Sequence, residues 1–519
     1  MVTTRELADA AARALEHVRA QPGVTECEAF VAANGSLLAR LNYSSHIPCN
    51  GVEEPKSTES FGLGLRVVLA GADGPRTGFG AEPSDLSLDG VRRALDKARA
   101  GAVPDPAFVS LPEAAGEART LRDYHDPRLL DVGDADLVEA GWKVVNGALR
   151  TFVASSRLVE LAGGEGGLRR LGLIVSGDVS ILQERIAIAS SHMPRVQTDE
   201  STLIMGFVTA MVEARDAKGS GWSTGTRLDH FTEEAGLEAA TNAIGATDGE
   251  RVPSGDYTVI FGKQPVADLL NNIVVPACTA GAIYSMSSPF LGQLGRRVAS
   301  PLLTVYDHGA MPGYMGSKGI TCEGWATGRT DLIKNGVFAG CLSSWYETQR
   351  LLRDPRLPEK LGGDAAAVRA ALVPRSGFRF GAGGGRQFDA QPAPSPTNVI
   401  VEGSDPVPLD ELIATVKNGL YVGRIWYTYP INGLRAGDFT CTVVGDSWVI
   451  RDGRRAAPLK ANTVRINDNI ATVLQNIVGI TKDAKGTLVW AADAVVYTPE
   501  IACAGIHVDE IAGFMEELP

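Results

Sequence analysis

Between Gly255 and Pro276 the hydrophobic period of the chain changes abruptly, and that change sets the start of its second half. Asp256-Tyr257-Thr258-Val259-Ile260-Phe261 is a β-branched and aromatic run opened by a glycine, and it reads as a strand. Pro265 then fits the first turn of a helix whose apolar positions are Val266, Leu269, Leu270 and Ile273. Pro276 is expected to end that helix, because proline has no N–H to give to the helical ladder.

Upstream, Leu7, Ala11, Leu15 and Val18 repeat at helical spacing, with Thr4 placed to cap. Two short strand-like runs follow at 28–33 and 37–43, then Phe61-Gly62-Leu63-Gly64-Leu65-Arg66-Val67. Leu88, Val91, Leu95 and Ala98 give a second amphipathic helix. Residues 101–135, rich in Pro, Asp and Ala, read as a linker, 137–155 as a helix, and 170–175, 186–189 and 203–213 as strands. This order predicts an α+β N-terminal domain, 1–245, built on an antiparallel sheet.

The remainder, 246–519, is predicted to be a β-rich C-terminal domain containing the helix at 265–276. Asn335-Gly336 between two apolar runs predicts a type I′ hairpin. Pro408, Leu409, Leu412, Ile413 and Val416 predict a helix, and Thr498-Pro499-Glu500-Ile501 introduces the last strand. The glycine- and proline-rich stretch 375–395 is expected to be a mobile loop.

Composition excludes several classes. A net charge of −12 and a pI near 5.2 disfavour nucleic-acid binding. The seven cysteines hold no C-x-x-C pair, so reduced thiols and a cytoplasmic location are expected. The charged start at Arg5-Glu6 and the lack of a long apolar run predict neither a signal peptide nor a membrane span. Gly221-Trp222-Ser223-Thr224-Gly225 matches G-x-S-x-G, but polar residues precede it where a nucleophile elbow needs a buried strand. The runs Gly383-Gly384-Gly385 and 163–167 lack the spacing of phosphate-binding loops. Trp325, Trp345, Trp426, Trp448 and Trp490 are read as core or as interface anchors.

The segments Phe61–Val67, Leu228–Leu237, Asp256–Phe261, Leu332–Val337, Gly437–Thr440 and Thr498–Ile501 stand in an order that resembles the TldD/PmbA ("modulator of DNA gyrase") family. The resemblance runs through most of the chain and is weakest across 101–200. It implies that the helix after Phe261 is the one that carries a metal-binding His-Glu-x-x-x-His in TldD-type members. Here those six places read Asn271-Asn272-Ile273-Val274-Val275-Pro276. Asn is a poor ligand for zinc or iron, Pro276 has no donor, and Asn272 cannot act as a general base. Asn271, Asn272 and Pro276 are thus pseudo-active-site positions. The resemblance also implies a late cysteine as third metal ligand in TldD-type members; Cys503, in a strand context, is not assigned that role.

The resemblance therefore implies a PmbA/TldE-like subunit with no catalytic or metal-binding residue of its own. It would pair with a TldD-like metallopeptidase subunit carrying zinc or iron. The heterodimer would degrade or mature small unfolded peptides, with peptide-derived natural products one setting. The alternative is a self-sufficient metallopeptidase or other hydrolase, a homodimer with a rearranged site drawn from Cys278, Asp307, His308 and Cys322.

Overall fold

The structure is a computed structural model; it describes residues 2–511 except 73, 114–120, 382–383 and 489–494. Trp490 lies outside the described residues. The fold is α+β, with several antiparallel sheets.

The first sheet uses only residues up to 225. Its strands run in the order Val103–Pro104, Arg76–Pro83, Lys56–Leu69, Val24–Ser44, Leu173–Ser190, Gln197–Val212 and Ala217–Gly225, with Gly51–Val52 paired onto Val24–Ser44. All of its pairings are antiparallel. The two runs read at 28–33 and 37–43 are one strand of 21 residues. Asn34-Gly35-Ser36 looks like a turn, yet Gly35 is held extended by pairing with Glu59 on one side and Gln183 on the other. Likewise 170–175 and 186–189 belong to one strand, Leu173–Ser190. Thr3, not Thr4, caps the first helix, Thr4–Arg19, and it forms a capping box with Glu6.

Alternation along Val24–Ser44 assigns its two faces. Ala29, Val31 and Ala33 pack with Leu7, Val18, Val91 and Leu95 from the helices Thr4–Arg19 and Leu88–Ala100. Leu37, Ala39 and Leu41 continue that face beneath Asp134–Val153 and Glu234–Gly245. The intervening Glu28, Phe30, Ala32 and Asn34 point the other way, into the C-terminal half. The stretch read as a linker lies against this sheet: Gln183 Nε2 donates to the Leu129 carbonyl at 2.6 Å, and the Leu111 N–H donates to Glu26.

The second half holds a six-stranded sheet and a nine-stranded sheet among its described residues. The six-stranded sheet contains the Arg329–Lys334/Val337–Phe338 hairpin. Asn335 and Gly336, at φ 48° and 78°, make its I′ turn. In the nine-stranded sheet the path runs from Arg424–Pro430 at one edge through Asp438–Gly445, Val464–Asn469, Ile501–Glu510, Gly255–Phe261, Gly419–Val422 and Trp448–Arg451 to Arg454–Pro458. The motif helix packs against it.

The expectation of a mobile loop at 375–395 is at odds with the structure. Arg379 and Arg386 are fully buried, and Gly377–Phe378 pairs with Ala393–Pro394. Phe378 and Phe388 join Phe30, Ile186 and Ile188 on the helix-free face of the first sheet. The segment is a strap fastened across that sheet. Its arginines could not be left there without carboxylates, because a buried cation needs a partner.

Candidate functional site

The motif helix begins after Gly262 and runs as regular α-helix through Lys263–Leu269. It widens to a π-turn at Leu270–Val274 and closes with Val275–Ala277. Pro276 was expected to end the helix; instead it sits inside the last turn. A proline at this place would leave the Asn272 carbonyl without its usual donor and would crowd it. Widening one turn makes room for the ring, and the Val275 N–H reaches back to the Leu270 carbonyl.

Along 265–278 every residue is buried except Asn271, Asn272 and Pro276. The three positions that would hold the metal motif are therefore the three that reach the surface. Asn272 Nδ2 donates to the Asp268 carbonyl oxygen at 2.9 Å and to Asp268 Oδ1 at 3.2 Å. Burial pushes the Asp268 carboxyl up to about 6, against the lowering effect of its hydrogen bonds. The helix is tied to the neighbouring edge strand, Arg424–Pro430, by the Ile425 N–H donating to Gln264 Oε1 at 2.9 Å.

These groups do not suit a peptidase metal. Three anionic or imidazole donors are needed. The helix offers two amides, one of them already bound to Asp268, and a proline.

The alternative set is not brought together. Cys278 is buried in the C-terminal core, where burial holds its thiol well above the ordinary range. Cys322 lies in the seam between the halves, where its sulfur accepts from the Arg379 N–H at 3.3 Å; burial pushes that thiol up to about 12. Asp307 and His308 are successive residues of the strand Leu303–His308, so they point to opposite faces. The Asp307 carboxylate accepts from the Thr397 N–H at 2.7 Å and from its hydroxyl, and burial pushes it up to about 7. His308 is held below the usual imidazole value by burial and by Arg329. Among the described residues no group of three His, Cys, Asp or Glu side chains could hold a metal. Cys503 is buried within Ile501–Glu510, paired opposite Val259. Ser223 lies within the strand Ala217–Gly225, opposite Gly206, rather than on a strand-to-helix turn.

Two features went unread in the sequence. The first is a pair of buried charge clusters between the halves. Arg379 Nη2 donates to Glu28 Oε1 at 2.6 Å, and Arg66 donates twice to the same carboxylate. Arg386 Nη1 donates to Asp199 Oδ2 at 2.8 Å, its N–H donates to Glu184 at 2.7 Å, and Lys318 pairs with Glu184. Glu323 lies beside the first cluster with one oxygen accepting from the Trp345 N–H; burial pushes its carboxyl up to about 7 despite Arg66. The second feature is the aromatic edge strand, of which only Trp426 was singled out, as core or interface anchor.

Residues 254–510 match the family model for the PmbA/TldA metallopeptidase C-terminal domain, and residues 50–102 match the model for PmbA/TldA metallopeptidase domain 1. The chain is 23% identical over 490 residues to a "Metalloprotease TldD homolog" of Buchnera aphidicola, covering 89% of this chain and 90% of that one. A metalloprotease of Synechocystis is 30% identical over 307 residues, 58% of this chain and 59% of its own. The crystal structure of TldE from Thermococcus kodakarensis superposes with a TM-score of 0.74 at 17% identity, covering 96% of this chain and 100% of that chain, which shows a shared fold.

Proposed function

The chain belongs to the TldD/PmbA family of metallopeptidase-related proteins, and on that premise we propose that it is the accessory, TldE-like subunit of a heterodimeric peptidase. The observation that carries this reading is the occupancy of the motif helix. Asn271, Asn272 and Pro276 take the surface-reaching places, and none is a ligand for a hydrolytic zinc or iron. No step of peptide hydrolysis is routed through them.

In this reading the TldD-like partner supplies the metal and the water it activates. The present chain supplies wall and shape: a helix held rigid by its buried face, with neutral amides where charged ligands would compete for the metal. The substrates are small unfolded peptides, and the reaction is peptide-bond hydrolysis within the cytoplasm. Likeness to metalloproteases and the fold shared with a TldE support this assignment.

The test is hydrolysis of a set of unstructured peptides by this chain, by a TldD-type chain of the same organism, and by the two together. The reading expects cleavage by the pair and none by this chain alone. Cleavage by this chain alone, abolished by a chelator, would contradict it.

A further inference from the structure

The edge strand Arg424–Pro430 carries an unusual surface. Trp426, Tyr427, Tyr429 and the following Ile431 are 47%, 68%, 54% and 50% exposed. Four large apolar side chains within six residues form a patch that a water-exposed strand does not ordinarily keep. The patch is built by the backbone. The pairing with Asp438–Gly445 shifts register between Trp426 and Tyr429, and Tyr427 takes φ 55°. That bulge breaks the alternation, so that Trp426 and Tyr427, successive residues, stack at 5.9 Å between ring centroids. Beyond this strand the sheet has no further partner among the described residues.

A cation sits beside the rings. The Arg424 guanidinium lies 4.9 Å from the centroid of Phe207 and 5.5 Å from that of Trp426. Its hydrogen bond is to Thr209 Oγ1 at 3.5 Å. The carboxylate that acts on it is that of Asp446, which is already engaged by the N–H and hydroxyl of Ser220. Among the described residues Arg424 is in no ion pair. A guanidinium set beside aromatic faces with no carboxylate in contact is a ready receptor for one.

We propose that the platform of Trp426, Tyr427, Tyr429 and Ile431 around Arg424 is the docking surface for a different polypeptide, one that sets a carboxylate against Arg424 and apolar side chains against the rings. The inference rests on the accessory-subunit reading in taking that polypeptide to be the TldD-like chain. Charge argues against a second copy of this chain. Residues 424–434 contain no Asp or Glu, so two copies pairing through this strand would bring no carboxylate of that segment to Arg424 and would oppose two chains of net charge −12. Trp and Tyr are the residue types that dominate interface energetics.

The test uses the full chain and the TldD-type chain of the same organism, with affinity measured by titration calorimetry. Trp426→Ser with Tyr429→Ser should weaken binding by roughly 30-fold or more. Arg424→Gln should weaken it about tenfold, and Arg424→Glu further. Ile47→Ser, at an exposed site elsewhere, should leave affinity unchanged. Circular dichroism and thermal unfolding establish that each variant folds. If the wild-type pair binds and every variant stays within about twofold of it, the docking surface is wrong while the accessory role stands. If the variants weaken a complex that hydrolyses no peptide, the surface holds and the accessory role falls. A wild-type chain that fails to bind its counterpart, or a homodimer dispersed by Trp426→Ser, overturns the heteromeric partner.

Discussion

Arg386 and Asp199 meet at 2.8 Å with both side chains wholly buried, one from the strap and the other from the N-terminal sheet. This contact and the Arg379–Glu28 pair cross between the halves, so the two halves share a buried seam. Taking two charges out of water is costly, and the pair is tolerated because each side satisfies the other.

Removing one partner should expose that cost. Arg386→Met takes one cation away from Asp199 and Glu184 in a buried place, with Lys318 still paired to Glu184. It should destabilise the chain by about 3–5 kcal/mol, the usual range for breaking a buried pair. Denaturant unfolding checks this, and the double change with Asp199→Asn should be less harmful than the two single losses summed.

Close approach of the strap predicts a second defect. A Cβ at Gly64 would lie 2.0 Å from the Phe388 carbonyl oxygen, a backbone atom that cannot step aside. Gly64→Ala should therefore cost about 1–3 kcal/mol by overpacking. Proteolysis should cut first within the strap of the variant, at 375–395, and leave the wild type intact there.

The pH response follows from burial. The Glu323 carboxyl is held up to about 7, above its ordinary 4.5. A raised carboxyl favours the folded state fully below the ordinary value, and that contribution is lost as pH rises through about 7. Stability of the wild type should fall between pH 4.5 and 7, with Asp268, Asp307 and Asp446 acting in the same direction. Glu323→Gln removes one such group. Its melting temperature should gain on the wild type between pH 5 and pH 8, by the equivalent of at most about 3 kcal/mol. An equal gap at both values would contradict a neutral Glu323 in the fold.

How much of this was legible in the sequence depended on range. The Asn335-Gly336 hairpin, the helix at Leu409–Val416 and the strand at Gly255–Phe261 are specified by neighbours within a few residues, and each was read correctly. The strand Val24–Ser44 was cut in two because Asn34-Gly35-Ser36 has local turn chemistry; pairing with strands on both sides overrides it. The strap was misread for the same reason. Its glycines and prolines signal a loop, whereas its arginines find their carboxylates 187 and 351 residues away. Of the site, the identity of Asn271, Asn272 and Pro276 could be read directly. The π-turn that accommodates Pro276 could not, since it depends on how the helix makes room for the proline ring.

Within the motif helix, Asn271→Ala should be almost silent. Asn272→Ala removes a hydrogen bond to Asp268 and should raise that carboxyl further, an effect visible by titration of its carbon resonance. Neither change should alter the metal content of the complex with a TldD-type chain.

Elemental analysis of this chain purified alone, coupled to light scattering for its mass, tests the central claim most directly. The accessory-subunit account predicts less than about a tenth of an equivalent of zinc or iron per chain, with metal appearing only in the complex with the TldD-type subunit. Near-stoichiometric metal in the isolated chain, retained through dialysis, would contradict it.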